Sequence, residues 1–593
     1  MGADYTVTLD YKPVGRAGRV QITARFAGDD TFTDKFDVTA AAERETFVSR
    51  ACRGRRGIDK KVFAERLERI AAEVVGRPRD DGDADGSDGE RLSQADRLVQ
   101  LADGVELFHT PGSDPAAYAT MTADGHRETW AVNAGGFRRW LAMRHFEEHG
   151  KAPGSQAIQD ALGVLAGRAQ FAGPEHSVAV RVAEAEGCIW LDLADADWRA
   201  VRVGPAGWEV APDPPVRFVR RRGMLPLPVP THGGRLDDLR PIVNLPAESQ
   251  WVLFVACLVA ALRPGRPFPV LVVNGEQGSA KSSLCRVFRS LIDPNEAPLR
   301  RPPKDERDLM IAAANGWVVG YDNLSAIPPH LSDSLCCLAT GGGFGTRELY
   351  TDDEEKLFNV KRPVVVNGIE DLVTRPDLLD RAVRLTLPAI ADEDRRDEDT
   401  LWTEFDRVRP GVLGALLDAA SRALRELPGL QLPGKPRMAD FARWVTAAEP
   451  SLGWPAGRFL EVYVGNREEA DDLALEASAV GAAVRAFMAD REPWRGTSGE
   501  LLKLLNGITD EATRKLNEWP KSPKGLSGHL RRLSPNLRRT GIECRFLERE
   551  PGGQRRRLLE LVRAATGDGR DGRDGEPDSH SSSPAEEVVE WSG

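Results

Sequence analysis

The stretch VLVVNGEQGSAKSSLCRVF, residues 270–288, constrains the chain more than any other. An apolar run ending at Gly275 delivers the backbone to a loop of small and polar residues, and Lys281 and Ser282 head a segment of helical spacing. A strand that turns so quickly into a helix belongs to an α/β layer. Small residues at the head of that helix let backbone N–H groups converge on an anion. The pattern Gly-x-x-x-x-Gly-Lys-Ser runs from Gly275 to Ser282, with Ala280 in place of the second glycine. Gly275, Glu276, Gln277, Gly278, Ser279, Ala280, Lys281, Ser282 and Ser283 are the expected cradle for ATP. Lys281 would reach the β and γ phosphates and the Ser282 hydroxyl would ligate Mg²⁺. If position 280 requires a positive φ, alanine costs about 1 kcal/mol relative to glycine; in the first helical turn the cost is small or reversed.

The order of the downstream segments strengthens this reading. GWVVGYDNLS (316–325) is a short apolar strand ending in Asp322 and Asn323, and a carboxylate there is placed to hold Mg²⁺ through water. RPVVVNG (362–368) is a second strand, ending in Asn367, whose amide would sit between the metal and the γ-phosphate. TRPDLLDRAVRLTLP (374–388) offers Arg375 and Arg381 on a short helix before a further strand, and in a ring such an arginine reaches the neighbour's γ-phosphate. Each piece also fits an ordinary turn or surface ion pair; the four in this order point to a nucleotide site.

The order loop-lysine, strand-Asp, strand-Asn, helix-Arg resembles the AAA+ ATPases, and its compact form resembles the superfamily III helicase domains of phage and plasmid primase-helicases. LIDPNEAPLRRPPKDERDLMIAAANGWVVGYDNLS, LSDSLCCLATGGGFGTRELYTDDEE and RMADFARW resemble stretches of bacterial proteins of that kind, so the resemblance covers roughly residues 95–455. It implies Lys281 and Ser282 on phosphate and Mg²⁺, Asp322 on Mg²⁺, Asn367 as a sensor and Arg381 as a finger acting in trans. Many such enzymes place a glutamate after the strand-end aspartate; here Asn323 stands, and an amide orients water without accepting its proton. Binding is therefore better supported than rapid hydrolysis.

At 593 residues the chain exceeds a single core. The expectation is a multidomain α/β protein: a small α+β module (1–75), an acidic linker (76–91), an α+β domain (92–230), a central AAA+ type P-loop domain with a parallel sheet (231–395), a helical lid region (396–475), a winged-helix-like basic domain (476–565) and an acidic tail (566–593). In 92–230, Trp190, Trp198 and Trp208 stand at strand spacing and read as core. The net charge of −11 lies almost wholly in two segments, 77–90 with two arginines against six acids and 567–593 with two against eight. The acidic balance therefore does not argue against nucleic acid as a partner. Seven cysteines without a Cys-x-x-Cys pair fit a reducing cytoplasm, there is no leader-like N-terminus, and the longest apolar run, WVLFVACLVAAL (251–262), is too short to span a bilayer and reads as a buried helix.

Two features bear on DNA. TRELY and KLFNV flank a polar tip, as in a hairpin before the Asn367 strand. In the resembled helicases a hairpin here grips single-stranded DNA in the ring channel. Arg347, Lys356, Lys361 and Arg362 are its candidate contacts, although the acidic tip also fits a structural or intersubunit hairpin. From Lys521 to Arg563 twelve basic residues stand against four glutamates, and GLSGHLRRL followed by a strand pair about PGGQ reads as a recognition helix and wing. Lys524, His529, Arg531, Arg532 and the wing residues Arg555, Arg556 and Arg557 are candidate contacts to duplex DNA; a solvated basic face or an acidic partner are the other readings. The function expected is an ATP-dependent DNA motor, a homo-oligomeric ring replicating a phage, plasmid or integrated element, with any priming left to a separate primase or polymerase. The alternatives are a nucleotide-switched regulatory ATPase, such as a helicase loader or defence component, and a small-molecule P-loop transferase.

Overall fold

The computed structural model describes residues 8–13, 19–26, 30–53, 58, 60–76, 92–123, 125–342, 344–347, 355–358, 360–369, 372–373, 375–434, 436–489, 491, 493–547 and 557–563. Residues 1–91 form one compact unit and residues 92–593 another. The first unit is an antiparallel meander of β1 (Thr8–Pro13), β2 (Arg19–Arg25) and β3 (Thr31–Asp37), with α1 (Ala41–Ala51) and α2 (Lys60–Gly76). Val20, Ile22 and Ala24 alternate onto one face and meet Phe47 and Phe63 from the helices. The α+β module expected over residues 1–75 includes β3, whose TFTDKFD has too little apolar alternation to be read as a strand from the sequence. From residue 77 the acidic linker, and the whole acidic tail, lie outside the described residues.

The second unit begins with α3 (Gln94–Leu101), held at its start by a reciprocal Ser93–Asp96 capping box. β4 (Glu106–His109), β5 (Ala117–Ala123) and β6 (His126–Ala131) form an antiparallel sheet followed by α4 (Gly135–His149) and α5 (Ser155–Phe171). β7 (Val178–Ala179) pairs with β12 (Arg217–Phe218), and between them β8 (Val182–Ala185), β9 (Cys188–Asp192), β10 (Ala200–Gly204) and β11 (Gly207–Ala211) form a meander. Trp190 and Trp208 are buried on this meander. Trp198 is different: it sits in a turn at φ 54°, half-buried, with the Arg220 guanidinium 3.8 Å from its ring centroid.

A third layer surrounds α6 (Glu248–Ala261), in which every residue from Trp251 to Ala261 is buried, as an all-round apolar helix requires. Four parallel strands, β13 (Val270–Gly275), β14 (Val319–Leu324), β17 (Val364–Gly368) and β18 (Ala382–Leu387), form a sheet in the order β14-β17-β13-β18. α7 (Lys281–Ile292), α8 (Glu306–Asn315) and α9 (Pro329–Thr340) are the crossovers; β15 (Phe344–Arg347) and β16 (Glu355–Phe358) form a separate antiparallel pair, and α10 (Pro376–Leu379) leads into β18. α11 (Glu398–Glu426), α12 (Ala439–Leu452) and α13 (Arg458–Ala477) follow. The β8–β11 meander shares one core with α6, α7, β13, α11 and α12. A buried ion pair reinforces that join: Arg181 Nε donates to Asp293 Oδ1 at 3.1 Å, and Asp293 Oδ2 accepts from the backbone N–H of Trp317 and Val318.

The chain ends in α14 (Ala479–Met488), β19 (Trp494–Thr497), α15 (Ser498–Ile508), α16 (Glu511–Lys515), α17 (Pro523–Arg539), β20 (Ile542–Phe546) and β21 (Leu558–Arg563), around a core of their own. The strands form a sheet in the order β19-β21-β20, so the strand pair expected here has a third member, WRGT, too short to carry a period of two. Among the described residues no helix is long and apolar enough to cross a membrane.

Candidate functional site

The C-terminal ends of β13, β14 and β17 converge where α7 begins. Gly275 has φ 152°, and a Cβ there would lie 2.6 Å from Leu387 O and 2.8 Å from Ser279 Oγ, so only glycine fits between the loop and β18. Ser279 is buried, its hydroxyl donating to Glu276 O at 2.8 Å, and Asn244 Nδ2 donates to Ser279 O and Pro388 O. Ala280 sits at φ 62° and ψ 30°, left-handed backbone immediately before the first turn of α7. Of the two outcomes the sequence allowed, the strained one holds: this position asks for glycine.

Lys281 folds its ammonium over the loop, donating to Gly275 O at 2.8 Å and Glu276 O at 2.6 Å. Burial, opposed by the Asp322 charge, holds it below the usual lysine value. Ser282 Oγ donates to Asp322 Oδ1 at 2.7 Å. β17 lies between β13 and β14, yet Asp322 reaches the loop because the ladder slips between Tyr321 and Leu324. That bulge, with Asn323 at φ 56°, turns residues 322 and 323 out of regular pairing. Asn323 N–H donates to Asn367 Oδ1 at 3.0 Å, and Asn367, 1% exposed, directs Nδ2 at Cys285 Sγ, 3.5 Å away. Burial pushes the Cys285 thiol up to about 12 and leaves it without a nucleophile's character. The structure thus brings Lys281, Ser282, Asp322, Asn323 and Asn367 together.

Among the described residues no three His, Cys, Asp or Glu side chains cluster as metal ligands. A hydroxyl and one carboxylate suit Mg²⁺, which keeps most of its shell as water and phosphate oxygen. Ser282 and Asp322 therefore fit the magnesium complex of a nucleotide, and the loop N–H groups with Lys281 fit its phosphates.

The two candidate finger arginines stand apart from this cluster, on the α9–α10 side. Arg381 follows α10 and donates to Asp377 O at 2.6 Å, while Arg375 binds Asp333, Asp377 and Pro329 O. Sequence reasoning missed Arg395: a Cβ on Gly278 would lie 3.1 Å from Arg395 Nη2, so that guanidinium rests on the loop. Its surroundings, DEDRRDEDT, read only as a solvated charged run.

The candidate DNA contacts divide. Arg347 and Lys356 lie on β15 and β16; their side chains and the tip 348–354 lie outside the described residues, as do Arg555 and Arg556. Lys361 and Arg362 are committed elsewhere: Lys361 Nζ donates to Gly265 O, and Arg362 Nε to Ala313 O and Gly316 O beside the Trp317 ring. Burial holds Arg362 down at about 10, as a structural arginine and not one facing a channel. On α17 an exposed stripe carries Lys524, Arg531 and Arg538, each seven residues from the next. His529 and Arg532 instead line a cleft of about 820 Å³ with Pro329, Arg375 and Asp377. Arg539 and Arg545 are ion-paired, to Asp380 and Asp471 and to Glu543 and Glu560, so the net basic charge overstates the free cationic surface.

Residues 236–472 match the family model of the actinomycete integrative conjugative element replication protein, and residues 480–579 that of the AICE RepA C-terminal domain. No curated protein matches the chain. Among solved structures, SCCmec type IV Cch, titled an active helicase, is 11% identical with a TM-score of 0.41, over 78% of this chain and 93% of that one. The NrS-1 C-terminal region in its apo A form is 12% identical with a TM-score of 0.34, over 80% and 100% of the two chains. A JCV helicase with a bound small molecule is 12% identical with a TM-score of 0.19, over 37% and 67%. With the family's two domains matched in order over more than half of its length, the chain belongs to the replication proteins of actinomycete integrative conjugative elements.

Proposed function

We propose that this replication protein is an ATP-dependent DNA motor of the superfamily III type, an AAA+ P-loop ATPase working as a homo-oligomeric ring in the cytoplasm, with a winged-helix-like C-terminal domain and any priming left to a partner. The observation that carries the reading is the Ser282–Asp322 hydrogen bond at the mouth of the loop, with Lys281 and Asn367 on either side. The Gly275–Ala280 backbone and Lys281 hold the phosphates of ATP, with Lys281 exchanging the loop carbonyls for phosphate oxygen. Ser282 and Asp322 would hold Mg²⁺ with the nucleotide, and the ion would supply positive charge against that developing on the transferred phosphoryl group. Asn367, fixed by its bond to Asn323 N–H, orients water or γ-phosphate oxygen, and Arg381 supplies positive charge to the neighbouring subunit's site. Single-stranded DNA passes the β15–β16 hairpin in the ring channel, and the Lys524–Arg531 stripe meets duplex phosphates.

One observation favours a second reading, a nucleotide-switched regulatory ATPase. Asn323 occupies a left-handed backbone position that asparagine tolerates better than glutamate, so the amide suits the local fold and leaves that place without a base. Unwinding of a forked duplex separates the two. Strand displacement that needs ATP and Mg²⁺ and vanishes in Lys281→Ala supports the motor; ATP binding without displacement supports the switch.

A further inference from the structure

Asp380, the residue directly before Arg381, is the meeting point of three separate elements. Its carboxylate, 11% exposed, accepts from Arg467 of α13 at 2.9 Å, from Arg437 ahead of α12 at 3.2 Å, and from Arg539 at the end of α17 at 2.6 Å. Arg539 also binds Asp471 of α13, at 2.9 Å to Oδ1 and 3.1 Å to Oδ2, and Asn536, one turn earlier on α17, donates to the same carboxylate at 2.8 Å. The C-terminal domain is thus tied to the segment that carries Arg381 through charge-assisted bonds, which are the strong ones.

That segment is seated by Leu378 and Leu379, both buried, and by Val270 N–H, which donates to Arg381 O at 2.9 Å; its exposed polar edge is left to charged partners. α10 spans only Pro376–Leu379, and so short a helix is held by its surroundings. Asp380 N–H returns to Pro376 O and Arg381 N–H to Leu378 O, both at 3.0 Å, while the Arg381 guanidinium returns to Asp377 O. Asp380 and Arg381 therefore belong to one turn, and the arginines on Asp380 fix its polar edge. One of the three comes from α13 and one from the segment ahead of α12; the third comes from α17, whose neighbouring face presents Lys524, Arg531 and Arg538.

We infer that Arg539 is a positioning residue: through Asp380 it sets where Arg381 stands, so that nucleic acid held on the exposed face of α17 alters ATP turnover at the neighbouring subunit. This rests on the reading of Arg381 as the group acting in trans. A purely structural clasp would use the same contacts, so the test needs a readout that a clasp does not move. Removing Arg539 leaves Asp380 with Arg437 and Arg467 and leaves Asp471 with Asn536, so neither buried carboxylate is stranded and the fold is expected to hold.

The experiment measures steady-state ATP turnover with and without single-stranded and duplex DNA, on the full chain and on Arg539→Ala, Arg539→Lys and Arg381→Ala, with melting curves for each. Arg539→Ala is expected to lower DNA-stimulated kcat by about tenfold or more, as small misplacements of a catalytic group do, with the KM for ATP unchanged. Arg539→Lys, able to hold one carboxylate but not both, is expected between it and the unaltered chain. Should Arg539→Ala fail to fold, Arg539→Lys alone decides: its kcat either falls at constant KM, as expected, or does not. Turnover lost in Arg381→Ala but unaltered in a folded Arg539 variant overturns the positioning role alone. Turnover unaltered in Arg381→Ala overturns the trans reading of Arg381, and the positioning role with it.

Discussion

Ser282 Oγ and Asp322 Oδ1 are joined by a 2.7 Å hydrogen bond, although β17 lies between β13, which leads into the Ser282 helix, and β14, which carries Asp322. The bond places a hydroxyl and a carboxylate where one small, hard cation can take both. Asp322→Asn keeps the shape and removes the charge. It is expected to abolish the Mg²⁺ dependence of nucleotide affinity and to lower turnover about 100-fold or more, in line with losing an electrostatic group at a reacting centre. Titration of a fluorescent ATP analogue with and without Mg²⁺ checks the first, and unchanged Mg²⁺ dependence contradicts it.

Ala280 stands in left-handed backbone with no glycine to relieve it. Ala280→Gly is expected to stabilise the protein by about 1 kcal/mol, less the entropy that glycine gains in the unfolded chain. A raised urea midpoint at constant slope is the signature; a lowered midpoint contradicts the strain.

Lys281 is held below the usual lysine value of 10.5 by burial, and bound phosphates would raise it again. The complex then holds the proton more tightly than the free protein. ATP affinity is therefore full at neutral pH and weakens as pH rises through the free ammonium's pKa, by up to about tenfold per pH unit. Affinity measured from neutral pH into the alkaline range checks this. Lys281→Arg, charged throughout, is expected to lose the slope.

Asp293 accepts from Arg181 and from two backbone N–H groups at the start of β14, all in the core. Asp293→Ala strands a fully buried guanidinium and is expected to cost roughly 3 kcal/mol or more. Denaturant melts followed by tryptophan fluorescence measure it.

Lys524 is exposed on the outer stripe of α17, whereas Arg539 is spent on Asp380 and Asp471. Lys524→Ala is expected to reduce the salt slope of duplex binding by about 1, as the loss of one phosphate contact does, and Arg539→Ala to leave the slope as it is.

Much of the candidate nucleotide site was legible because its parts are local: a strand, a loop and the head of a helix are contiguous, and Asp322 and Asn367 each close an apolar run. The conformation at Ala280 was not legible, since one letter fits two backbones until the start of α7 is located. The bulge at Asp322 leaves no mark on a period of two, and Arg395 stands among like letters in its charged run. Composition misled most in the basic regions. Arg362 and Arg539 count as free cations in the sequence, but their partners lie on elements that only the fold brings near.

Turnover of ATP by the loop cluster in response to DNA is what would join the candidate nucleotide site to the proposed motor. It is read most directly as steady-state phosphate release by the unaltered chain and by Lys281→Ala, each with and without single-stranded DNA. Strong stimulation by DNA in the unaltered chain, with none in Lys281→Ala, is the predicted result. Turnover that ignores DNA, or that survives the loss of Lys281, rules the motor out.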